Sequence, residues 1–132
     1  MSARSKARKA ALDLLFAADL KGREANSEEL ALMDREHREY TDLLISGVSQ
    51  HKERIDLLIH TYAEGWDKDR LPAVDRNILR LGIFEVLWGD LDDAVAISEA
   101  VALAEALSTS DSARFINGLL GRISKLSGTL AL

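Results

Sequence analysis

The chain has 132 residues, 47% of them hydrophobic and 30% charged, and a net charge of −5. That composition excludes a disordered chain and suits one domain with its own core. Without cysteine there can be no disulfide or thiolate chemistry. No apolar run approaches the ~20 residues of a membrane span and no secretory leader is recognisable, so the expected setting is cytoplasmic, with no membrane partner.

The charge is unevenly spread. In residues 1–23, Arg4, Lys6, Arg8, Lys9, Lys21 and Arg23 stand against Asp13 and Asp19, a balance of +4 that leaves −9 for the remainder. A basic end on an acidic body can hold a polyanion at one patch and repel it elsewhere.

Helical periodicity dominates from the start. Residues 3–21 read as a helix with Ala7, Ala11, Leu14, Leu15 and Ala18 on one face and Gly22 as its C-terminal stop. Asn26 followed by Glu29 resembles a capping box and predicts a short helix to about Met33. Residues 36–63 carry a stripe from Tyr40 to Tyr62 whose phase breaks between Gly47 and Lys52, which predicts two helices closed by Gly65. Residues 72–88 are apolar nearly all round, and Pro72 suits a first helical position. This helix is expected to be central. Asp90 to Asp93 read as a turn, 96–108 as a further helix and 111–127 as the last. The fold class is all-α: a single domain over 1–132, built as a bundle of about seven helices.

Two features carry chemistry. The first is the cluster Arg4, Lys6, Arg8 and Lys9. Arg4 and Arg8 share a helix side with Ala11 and Leu15, where charge cannot be buried without partners. The first two turns are therefore expected to project beyond the core or to be frayed, as a basic arm over 1–9 that orders on a polyanion. Cations at a helix start oppose the macrodipole, and a bound phosphate would relieve that. The bland alternative is a solvated helix start. The second feature is the last helix, where Phe115 stands at the rim of an apolar arc beside Asp111, Arg122, Gly118, Lys125 and Arg114. A rim aromatic beside guanidinium groups can stack on an unpaired base, and a carboxylate can accept from base amino groups. The alternative is a core phenylalanine with Asp111 as a plain N-cap.

Three segments together are similar to the NusB family of bacterial transcription antitermination factors: Ala7-Arg8-Lys9-Ala10-Ala11-Leu12-Asp13-Leu14-Leu15-Phe16, Val74-Asp75-Arg76-Asn77-Ile78-Leu79-Arg80, and Ala100-Val101-Ala102-Leu103-Ala104 leading to Phe115-Ile116-Asn117-Gly118-Leu119-Leu120. The resemblance spans nearly the whole chain. It implies an all-helical fold, binding of the single-stranded boxA element of nascent RNA together with NusE, a small-subunit ribosomal protein, and a place in the transcription elongation complex. By the same resemblance Arg4, Lys6, Arg8 and Lys9 match the arginine-rich segment, and Asp111 and Phe115 match RNA-contacting positions. Phe16 matches a first-helix aromatic near that surface, and Arg122 joins the group by its place on the wheel. Asp75 matches a position at the NusE contact, with Tyr62 and Arg76 near it. The basic segment departs from the richest members by having lysine at two positions, and lysine lacks the planar fork of arginine.

Other readings remain. The same fold occurs as the amino-terminal domain of some ribosomal RNA cytosine methyltransferases. A helical protein-interaction module without an RNA role, and a homodimer covering the basic arm, are further alternatives. His37, His51 and His60 lack close metal-ligand spacing, and Asp92 and Asp93 read as a solvated turn. No phosphate loop, nucleophile set or zinc motif is present, so the expectation is a protein that is not an enzyme and needs no cofactor or metal.

Overall fold

The computed structural model describes residues 2–25, 35–63 and 71–130. Among them run six α-helices: α1 (Ala3–Leu20), α2 (Arg35–Gln50), α3 (Lys52–Tyr62), α4 (Ala73–Trp88), α5 (Asp93–Leu107) and α6 (Ser110–Leu126), with a 3₁₀ turn at Ser127–Thr129. The short helix expected at 26–33, and Gly65, lie outside the described residues.

Helix ends follow local chemistry. Gly22 takes φ +66°, and behind it the Arg23 amide donates to the Ala18 carbonyl at 3.0 Å, closing α1 as glycine permits. Pro72 stands one place before α4, and Asp92 one place before α5. α5 thus begins three residues earlier than its apolar pattern suggested, because Asp93 in the first turn suits the positive helix end. The break near 47–52 falls at His51. Gly47 does not cause it. A Cβ there would lie 2.2 Å from the Phe84 ring, so the glycine lets α2 lie directly on α4.

α4 is the axis of the bundle and touches all five other helices. Its residues from Asn77 to Val86 are all buried, which is why the sequence there is apolar all round. On one side α6 supplies Ala113, Ile116, Leu119, Leu120 and Ile123, each large side chain stabilising by roughly 1.5–3 kcal/mol on burial. Gly82 admits Leu120 at this crossing, since a Cβ would come 2.7 Å from Leu120 Cδ1.

On its other side α1 runs antiparallel to α4, and polar contacts hold both ends. At one end Arg8 meets Glu85, with Nε–Oε1 at 2.7 Å and Nη2–Oε2 at 3.0 Å. At the other end Asp19 accepts from Arg76 at 2.8 Å, Asn77 at 2.9 Å and Arg80 at 3.2 Å, while Arg80 also forks onto Asp56 at 2.8 and 3.0 Å. Burial alone would raise the Asp19 carboxyl. The bonds from Arg76 and Asn77, with Arg80 nearby, outweigh it and hold the group below its ordinary range.

Candidate nucleic-acid interface

The amino-terminal cations are not a projecting arm. α1 is helical from Ala3, and the Ser2 hydroxyl accepts the Ser5 amide at 3.1 Å as its cap. Arg8, expected to face phosphate, is only 3% exposed. The helix wheel was right to put it on the inner face, and the fold brings Glu85, itself 2% exposed, to meet it. Burial alone would lower the Arg8 guanidinium, but the bonded Glu85 carboxylate more than offsets that and leaves it raised. The Tyr40 hydroxyl donates to the same carboxylate at 2.5 Å. Burial, then that bond, push the phenol up to about 12. Arg8 is thus a structural cation, which corrects its assignment to RNA.

The other three cations stay at the surface. Arg4 forks onto Asp90 at 3.1 and 3.3 Å, with its guanidinium carbon 4.4 Å from the Tyr40 ring centroid. Lys9 pairs with Asp13 one turn on, at 2.7 Å. Lys6 is exposed and makes no ion pair among the described residues. Phe16, on the same helix, is half-buried.

α6 presents the second feature. Its cap is Thr109, whose hydroxyl accepts the Ser112 amide at 3.0 Å. Asp111 therefore does not serve as the cap. Its exposed carboxylate pairs with Arg114 at 2.6 Å. Phe115 is partly buried and packs on the core, as a rim position should. Gly118 and Gly121 have open space where a Cβ would stand, so a low surface follows Phe115 along the helix. Arg122 lies over the Tyr62 ring, 5.2 Å from its centroid, bringing an expected RNA residue onto an expected partner residue.

Asp75, expected at a protein contact, faces inward instead. It is 3% exposed and accepts from the Ser112 hydroxyl at 2.7 Å, while its Oδ1 is buried without a hydrogen bond. It ties the start of α4 to the start of α6 and offers no charge to a partner. Arg76 is likewise turned to Asp19 and to the Leu71 carbonyl.

The helices that carry the two features both pack along α4. Ser112 of α6 reaches α4 at Asp75, and Arg8 of α1 reaches it at Glu85. Those contacts are ten residues apart, about 15 Å along the axis. The basic start borders the α4–α5 turn and α5, where Ser5 donates to Glu99 at 3.2 Å. Sequence reasoning missed Glu85, Tyr40, Asp90 and the stack of His51 on Trp88, with centroids 3.9 Å apart. It also missed Asp93, which accepts from Ser124 at 2.5 Å. An acid set between Ile83, Phe84 and Val86 in the central helix was the available signal for Glu85.

Among the described residues no group of His, Cys, Asp or Glu could hold a metal, and no helix is long and apolar enough to cross a membrane. The family model described as the NusB family matches residues 5–125. A transcription antitermination protein NusB from a Nocardioides species is 51% identical, over 99% of this chain and 100% of its own length. Among solved structures, T. maritima NusB superposes with a TM-score of 0.85 at 34% identity, covering 92% of this chain and 90% of its own. A structure of antitermination factors NusB and NusE in complex with double-stranded RNA gives 0.83 at 29% identity, covering 95% and 98%. This chain belongs to the NusB family.

Proposed function

We propose that the protein is a transcription antitermination factor that binds boxA-type RNA together with NusE in the elongation complex, without catalysing a reaction. The observation that carries this reading is the rim of α6. There Phe115 stands half out of the core, followed by the open surface of Gly118 and Gly121, on a chain whose relatives are named as antitermination proteins. Phe115 stacks on a base, Asp111 accepts from base amino groups, and Arg122 engages phosphate. Arg4, Lys6 and Lys9 form a separate phosphate-binding stretch at the start of α1, with Phe16 on the same helix. One RNA strand engages both groups. Tyr62, under Arg122, and the neighbourhood of Arg76 receive NusE.

Phe115→Ala is expected to weaken boxA binding by ~1–3 kcal/mol with little change in salt dependence, because stacking is lost and no phosphate contact is. Gel-shift titration at several salt concentrations measures this, and a melting curve separates it from unfolding. An unchanged affinity in a folded variant would return Phe115 to the core alone.

A further inference from the structure

The cations of α1 are not equally held. Arg8 is sealed between Glu85 and Tyr40. Arg4 is bound by the same kind of bidentate pair, but at the surface, with side chains 44% and 72% exposed for Arg4 and Asp90. Its guanidinium lies over the Tyr40 ring, 4.4 Å from the centroid, a contact that does not need Asp90. The ring holds the face of the guanidinium and leaves its donor edge to whatever anion is nearest. That edge suits phosphate as well as carboxylate, since both accept two parallel N–H bonds.

We infer that Asp90 is an autoinhibitory latch on Arg4, its carboxylate occupying the guanidinium fork that an RNA phosphate would take. The inference rests on the RNA-binding reading above. Two features favour exchange over a permanent bond. An exposed pair in water is weakly held, so a phosphate displaces it at little cost. The latch also lies in the turn between α4 and α5, so its release leaves the Arg8–Glu85 bond and the helical core intact. Glu99, which accepts from Ser5 and stands 3.7 Å from Arg8, adds a carboxylate beside the same two turns. The start of α1 thus carries its own counter-charge until RNA replaces it.

The test is Asp90→Asn, alone and in an Arg4→Ala background, titrated with a boxA strand and with a scrambled strand of equal length. The latch concerns phosphate, so both strands report on it. Asp90→Asn is expected to raise affinity about two- to fivefold at low salt. The log–log salt slope should steepen by about 0.7, one phosphate contact on single-stranded RNA. Both gains should vanish when Arg4 is alanine. Equal gains in both backgrounds would mean that Asp90 acts only as bulk negative charge, and would overturn the latch. So would no gain in either background, or no binding of either strand by any of these proteins. A boxA preference that fails while both strands still bind and still respond to Asp90→Asn would count against the sequence-specific reading and leave the latch standing.

Discussion

Arg8→Ala is expected to destabilise the protein by about 3–5 kcal/mol, the range for removing one partner of a buried ion pair. Thermal denaturation should show this as a fall in Tm of roughly 10–20 °C. The cause is what remains. Glu85 would sit buried on α4, only 2% exposed, with the Tyr40 hydroxyl in place of a full counter-charge. The position resembles a nucleic-acid contact in sequence, and a loss of RNA binding in this variant would be misread unless folding were measured. Replacing both Arg8 and Glu85 by apolar residues of similar volume should recover most of the loss, because the desolvation of both charges disappears with them. An Arg8→Ala protein with unaltered Tm and a shallower salt slope would show that the arginine faces solvent and RNA after all.

The second large effect is at the crossing of α4, α5 and α6. Leu120 is fully buried and fills the space beside Gly82 and Ala100. Leu120→Ala should cost about 2–5 kcal/mol, the transfer term plus the cavity left behind. Gly82→Ala alone should also destabilise, by about 1–3 kcal/mol, since its Cβ would press on Leu120 Cδ1 at 2.7 Å. Together the two should cost less than their sum. The added methyl occupies the space the leucine vacates, and residues in contact couple by about 0.5–3 kcal/mol. Denaturant unfolding of the two single variants and the double variant measures the coupling. Strict additivity would mean that α6 does not seat on Gly82. The crossing matters for function because it sets the depth of α6, and with it how far Phe115 stands out of the core.

Much of this fold was legible because it depends on local pattern. The all-round apolar run at 72–88 named the central helix, Gly22 named the end of α1, and the phase break before Lys52 divided α2 from α3. The site was legible only in part. The rim position of Phe115 and the open surface at Gly118 follow from one helix and its own periodicity, and both hold. The role of Arg8 depends on a residue 77 positions away. A wheel shows that Arg8 faces inward but not which carboxylate arrives to meet it, and the conflict was resolved wrongly by pushing the helix outward. Asp75 turned inward for the same reason, to a serine on α6. Periodicity tells which face of α4 is apolar, and nearly every face is, so nothing local says where along it α1 and α6 pack. Asp92 and Asp93 read as a solvated turn because both are acidic. The acidic first turn of α5 and the bond from Ser124 give Asp93 structural work that only the folded chain reveals.

The central claim is that this protein recognises boxA RNA and does so with NusE. The most direct measurement is a gel-shift titration with a boxA strand, a scrambled strand and a duplex of the boxA sequence, each with and without NusE. Tightest retardation is expected for the single-stranded boxA oligonucleotide, increased by NusE, with the scrambled strand held only through the α1 cations and Arg122 and lost as salt rises. Equal retardation of all three RNAs, unchanged by NusE, would contradict it.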